Sequence, residues 1–479
     1  MPSSRATCKT NPEGDADWVS FTVNPSPAHE PDRAAPPRLG IYQWNRVMIR
    51  SFTFGISLLL AAAAHARADE PTEYTLDNGL RVRLAPLVGD KQVMVLLFAR
   101  AGFLEEPAGR PHLAHVTEHL TVFDLPPAEA KAVQGWYKTG MANGETLADV
   151  MYFDLSVPPD EVDIALKVQA ARLSAVEFKQ ATLEREIPRT LQEVEFVERS
   201  KFAAAGKFAL APFVQAAVHG KTDQPLRART KKLNIEDVAA FHQRTFRPDR
   251  AAVVVVGEFD PAAVKKMIDA AFGKIDRPKA APAARPALKS GDSTADWDVS
   301  TRHLFVAWPI PAATHADHPP LTLATLALME SLMFDGPFNK QGTAFPQLND
   351  TEGLFLLGVQ AKSDADLDGV KTTVFDKVAA LAKPAAWTKA DVERLRKQLG
   401  RKLMFDTDLD KITLPPRVTK TMARAQMELQ RMTKTLAWGD LDAYRKRLDE
   451  VTGEQIATAV DKHLTAKGAA VVRVQKGMK

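Results

Sequence analysis

Leu233–Val256 reads LNIEDVAAFHQRTFRPDRAAVVVV, and Val451–Val474 reads VTGEQIATAVDKHLTAKGAAVVRV. The two stretches align without a gap at an offset of 218 residues. In each, a polar residue suited to an N-cap (Asn234, Thr452) precedes an amphipathic helical pattern, then a short turn, Ala-Ala and a valine-rich run. One helix–strand unit is common in proteins. The same unit at matching places in two parts of one chain is the mark of a duplicated domain. The expected fold class is therefore α+β, with two related domains, each a mainly antiparallel sheet with helices packed on it, joined by a linker.

The boundaries follow from composition. Residues 276–295 are rich in Pro, Ala and Ser and poor in apolar residues, and they read as the linker. The two halves are then residues 69–275 and 296–479. Residues 1–47 show no hydrophobic period and read as a disordered, over-extended N-terminus. Residues 48–68 have the layout of a secretory signal peptide, with the basic start Met48-Ile49-Arg50, an apolar run from Phe52 to Ala64, and Ala66-Arg67-Ala68 as the cleavage site. The apolar run is too short to span a bilayer comfortably, so the expected location is the periplasm, with no stable membrane span after processing.

Composition excludes other classes. The chain of 479 residues is 45% hydrophobic and 25% charged, with a net charge of +4, and no basic block stands out. Nucleic acid is not expected as a partner. The one cysteine, Cys8, lies in the leader, so a chain starting at Asp69 has neither disulfides nor a thiol nucleophile.

Within the first half, Leu76-Asp77-Asn78-Gly79-Leu80 carries an Asn-Gly hairpin signal, Val93–Ala99 reads as a buried strand, and Val150–Val157 as a further strand. A helical pattern begins near Pro111 and holds the most informative five residues, His115-Val116-Thr117-Glu118-His119. Two histidines four apart lie on one helical face, one turn apart, and two imidazoles at that spacing suit a single Zn²⁺ ion. Glu118 falls near the same face and is placed to act as general base on a zinc-bound water. A structural zinc site normally has four ligands, often thiolates, and a chain from Asp69 has none to offer. His112 reads as a histidine outside the ligand set, either supporting the site or lying at the surface.

These residues resemble the pitrilysin/insulysin family of zinc peptidases with the inverted motif. The hairpin Leu76–Leu80, Ala101-Gly102 with Glu105, and Ala114–Leu120 are similar to family segments. So are Gly140-Met141-Ala142-Asn143-Gly144 with Thr146, Asp149 and Tyr152, and Phe246-Arg247-Pro248 with Val253–Gly257. The resemblance is clear over residues 74–260 and weaker toward the C-terminus. It implies a bacterial processing-peptidase-like member, in which clam-like halves enclose the substrate and the second half is inactive. It implies a third zinc ligand on a later helix. Leu183–Glu193 resembles that helix, which makes Glu193 the ligand and Glu186 a carboxylate that orients a ligand, with Glu195 as the rival. Pro188 interrupts this stretch and is expected to bend it. Asn143 matches a substrate-contacting residue, and equally suits a turn.

The segment 140–146 is expected to form an edge strand to which an extended peptide adds by backbone pairing. Trp136 and Tyr137 read as pocket-lining or core residues. The region Asp335–Gly342 shows no Arg/Tyr pair of the kind the family uses to hold substrate. The resemblance then implies a dimer, with a heterodimer formed with a similar inactive chain as one form. The expected activity is zinc-dependent endopeptidase action on peptides or unfolded protein segments. The alternative is a non-catalytic scaffold or partner subunit of the same fold.

Overall fold

The computed structural model describes residues 71–199, 213–219, 226–279, 287–297, 302–333, 343–351, 353–361, 366–403, 409, 413–414 and 418–476. The leader, the signal-peptide stretch and segment 335–342 lie outside the described residues.

The first half opens with the hairpin of β1 (Thr72–Thr75) and β2 (Arg81–Pro86), paired antiparallel with Thr75 opposite Arg81. Asn78 and Gly79 make its turn. Gly79 has φ +92°, and a Cβ there would lie 2.9 Å from the Cβ of Asp249, so both backbone and space require glycine. The Asn78 amide donates to the carbonyls of Phe272 (2.8 Å) and Ile275 (3.0 Å), which fastens the hairpin to a distant part of the same half. The remaining strands are β3 (Val93–Ala99), β4 (Ala142–Thr146), β5 (Met151–Val157) and β6 (Ala251–Gly257), in the spatial order β1-β2-β6-β3-β5-β4.

The second sheet is built from β7 (Gly291–Trp297), β8 (Arg302–Pro309), β9 (Thr343–Thr351), β10 (Leu354–Ala361) and β11 (Ala470–Lys476), in the order β7-β11-β8-β10-β9. Placing β2 on β7 and β6 on β11 makes the two orders identical, apart from the extra strand β1. The pairing senses agree as well. Only β2–β6 and β7–β11 are parallel, and the other pairs are antiparallel. The duplicated α+β reading is therefore the architecture observed. The repeated units end in β6 and β11, and their helices Ile235–Thr245 and Gly453–His463 each start with a capping box, on Asn234 and Thr452.

One boundary differs from the sequence reading. The stretch read as linker, 276–295, runs into β7, which starts at Gly291. Its sequence GDSTADW has little apolar content, and residues 291–295 are exposed or half-buried. It is a polar edge strand whose register comes from its parallel partner β11, with Gly291 opposite Ala470, so local composition did not reveal it.

The continuous apolar runs of β3 and β6 reflect burial on both faces. Val93, Val95, Leu97 and Ala99 face the helices of their own half. Met94, Leu96 and Phe98 pack with Ala425 and Met432 of the long helix Lys420–Trp438, which comes from the other half. Arg83 of β2 pairs with the buried Glu428 of that helix (2.5 Å). The second sheet is covered in return. Phe305, Ala307 and Val472 share a core with Phe213–Val218, and the Phe213 and Phe305 rings lie 5.4 Å apart. At the repeat offset of 218, Phe213 corresponds to Arg431, inside the helix Lys420–Trp438. Each half thus lends the equivalent segment to the other's sheet. At roughly 1.5–3 kcal/mol for each large apolar side chain buried, this exchange ties the halves together.

Candidate metal centre

The motif lies on α1 (Leu113–Phe123), a helix buried over Leu113–Val122. Its entry is unusual. His112, at the N-cap, has φ 61°, the single non-glycine residue with positive φ among the described residues. The His112 side chain is fully buried, with Nδ1 3.1 Å from Thr230 Oγ1, so it belongs to the support of the helix and not to the surface. Glu106 accepts from the Ala114 N–H (3.1 Å) and so satisfies one of the open donors of the first turn. Burial pushes the Glu106 carboxyl well above the usual range, against the lowering pull of the Ala114 and His112 N–H groups.

A later helix, α2 here (Gln180–Arg199), packs against α1. Pro188 lies inside it, yet the helix continues through that position as one element. Leu183, Ile187, Leu191 and Val194 are all buried and fall at helical spacing, so a stripe of core contacts spans the proline on both sides. That packing offsets the missing N–H, and Glu186 and Glu193 keep their places on one face.

Between the two helices, His115, His119 and Glu193 bring one donor atom each to within 4.8 Å of one another. Glu193 Oε2 is 3.5 Å from His115 Nε2 and 3.6 Å from His119 Nε2. Tetrahedral zinc with bonds of about 2.0–2.2 Å sets neighbouring donors about 3.3–3.6 Å apart, so the two Glu193–imidazole separations suit the ion, as does the donor type. Glu195, two residues further along, is not in the cluster.

Glu186 is fully buried, and its Oε2 lies 3.0 Å from His119 Nδ1. Arg185 (2.6 Å) and Arg189 (3.2 Å) both donate to its Oε1. The carboxylate thus holds the proton of His119 on Nδ1 and leaves Nε2 for the centre. Burial works against charge on His119, but Glu186 and Glu193 outweigh it and raise its pKa to about 10 without metal. His115 goes the other way, because burial lowers it. For Glu193, burial is outweighed by the two imidazoles, which pull the carboxyl below its usual range.

Glu118 points toward β4. Its Oε2 accepts from Thr146 Oγ1 at 2.6 Å. Among the described residues β4 is the edge of its sheet and pairs only with β5. Asn143 lies exposed on it, opposite Asp154, and its side chain bonds the Asp154 carboxyl. It is in a strand, not a turn. Burial pushes Asp154 up to about 6, partly countered by Asn143 and Arg172. Trp136 is buried and donates to Glu161 (2.6 Å), while Tyr137 stacks on Phe123 with ring centres 6.4 Å apart, so both take part in packing. Among the described residues there is no second His/Cys/Asp/Glu cluster of metal-binding spacing, and the segment 335–342 lies outside them.

Thr146 is the contact that reasoning from sequence missed. Its position in the 140–152 pattern was visible, but its partner is 28 residues away on another element.

Residues 232–399 match the Peptidase M16 inactive domain family. That match begins after Glu193, so the candidate metal residues lie outside it. No curated protein matches the chain. Among solved structures, a protease from Helicobacter pylori is similar, with 16% identity over 85% of this chain and 99% of that one and a TM-score of 0.62. A peptidase M16 inactive domain from Pseudomonas fluorescens is 17% identical over 85% and 98%, with a TM-score of 0.59. The first half of the periplasmic protease PqqL from Escherichia coli is 16% identical over 87% and 94%, with a TM-score of 0.53. At these identities the likeness is one of fold: the chain has the two-domain α+β architecture of M16-like peptidases. Among the described residues no helix is long and apolar enough to cross a membrane.

Proposed function

We propose that the chain is a zinc-dependent endopeptidase of the pitrilysin kind, acting on peptides or unfolded protein segments in the periplasm. The observation that carries this reading is the convergence of His115, His119 and Glu193 with Glu118 beside them and Glu186 behind His119. A scaffold subunit of the same fold has no need of such a set. The matched inactive-domain family covers residues 232–399, which begin after Glu193 and include none of these five residues.

In this reading His115, His119 and Glu193 hold the ion, and Glu186 fixes the tautomer of His119. Zinc, when bound, supplies Lewis acidity toward the scissile carbonyl and makes water a better acid. Glu118 takes the proton of the attacking water and returns it to the leaving amine. The free edge of β4 pairs with the backbone of an extended substrate, which gives affinity with little sequence choice, and Asn143 is placed to contact it. The chain works as a dimer, in one form with a similar inactive chain that supplies the Arg/Tyr pair not found in the sequence Asp335–Gly342.

The test is direct. The chain from Asp69, purified alone and with any co-expressed homologue, is expected to contain one zinc and to cleave unstructured peptides. A chelator should stop cleavage and added zinc should restore it. Cleavage indifferent to chelation sinks the reading. The support of His119 has its own measure. E186Q is expected to weaken zinc binding by about 10–100-fold while the fold melts normally, read by competition with a chromophoric chelator.

A further inference from the structure

We infer that Thr146 is the positioning residue for Glu118, so that the edge strand β4 seats the carboxylate of the proposed base. This rests on the peptidase reading and deepens it. Thr146 is fully buried, and its hydroxyl donates to Glu118 Oε2 at 2.6 Å, within the range of strong charge-assisted O–H···O⁻ bonds. Gly144 lies two residues earlier, on the same face of the strand. A Cβ at Gly144 would stand 3.1 Å from Glu118 Oε1 and 3.1 Å from Phe153 Cδ1. Both carboxylate oxygens therefore rest on β4, one held by a hydroxyl and the other fitted over a missing side chain. Rotation of the carboxylate about its terminal bond would break the first contact and crowd the second.

The arrangement has a mechanical consequence. β4 is also the last strand of its sheet among the described residues, the one to which an extended peptide adds in the proposed function. Substrate backbone and proton acceptor are then referenced to the same five residues, Ala142–Thr146. Their separation is set within one strand, not across the joints between elements. Thr146 offers no metal-binding atom to the His115–His119–Glu193 cluster, so its role is separable from metal binding.

T146V keeps size and strand preference but removes the donor, whereas T146S keeps the donor. In T146V we expect kcat to fall about 10–100-fold, the usual effect of losing a hydrogen bond to a charged group, with KM and zinc content within about twofold. T146S recovers most of the lost kcat. G144A crowds the other oxygen and lowers kcat without loss of zinc. Crystals of metal-free T146V show the Glu118 carboxylate displaced from its seat, and those of T146S show it retained. An undisplaced carboxylate in T146V, a T146V kcat within twofold of the parent, or a T146S as slow as T146V with both folded overturns the assignment. A parent chain that binds no zinc and cleaves nothing refutes the peptidase reading instead. In that case the position of Glu118 in the T146V crystals still decides the role of Thr146.

Discussion

Glu118→Gln is expected to keep one zinc per chain and to lose peptide cleavage by about 10²–10⁴-fold, the usual contribution of a positioned general base. The amide is nearly isosteric with the carboxylate. It still accepts from the Thr146 hydroxyl, whose oxygen lies 2.6 Å from Glu118 Oε2, so the seat on β4 survives. Glu118 is not in the His115–His119–Glu193 cluster, so the donors that fit the ion are untouched. What the amide cannot do is accept a proton from water and return it. The predicted pattern is a low kcat with normal zinc content and a KM close to that of the parent. Cleavage at the parent rate would remove Glu118 from the mechanism. Loss of zinc would instead make Glu118 a ligand. A parent chain that binds zinc but cleaves no peptide would favour the non-catalytic subunit of the same fold.

The second large effect separates two carboxylates on one helix. Glu193→Ala is expected to lose zinc by more than the 10–100-fold that removal of an orienting partner typically costs, and cleavage with it. Glu195→Ala is expected to keep both. The difference comes from placement. Glu193 Oε2 lies 3.5 and 3.6 Å from the two imidazole Nε2 atoms, and Glu195 lies outside the cluster. Without Glu193, the centre has two imidazoles only. His119 keeps Glu186 on Nδ1 at 3.0 Å, so the ring stays oriented while the metal affinity falls. Equilibrium dialysis of the two variants gives the result directly. Equal zinc binding by both would move the third ligand elsewhere.

The reciprocal covering of the sheets bears on how such a centre stays rigid. The sheet that carries β4 has one face against its own helices and the other against Lys420–Trp438 of the second half. The Thr421 N–H donates to Asp90 at 2.6 Å, and Arg83 meets Glu428, so the start and middle of that helix are both fastened. A half without the motif thus supports the half that has it. This gives the second half a physical role whether or not it touches substrate.

Much of this was legible from the chain. The Asn78-Gly79 turn, the two N-capped helices with their valine-rich strands, and the four-residue spacing of His115 and His119 are local patterns. Each depends on backbone geometry within a few residues, so the sequence by itself determined them, along with the duplicated α+β class. Other features depended on partners far along the chain. The polar strand Gly291–Trp297 exists through its pairing with β11. The helix through Pro188 persists because buried residues on both sides dock it against the core. The meeting of Thr146 with Glu118, and of Glu186 with His119, follows from how β4 and the helix Gln180–Arg199 pack on α1. Periodicity states which face of an element is buried. Only the packed structure decides which face meets which, because that choice is made by shape and burial summed over the whole core.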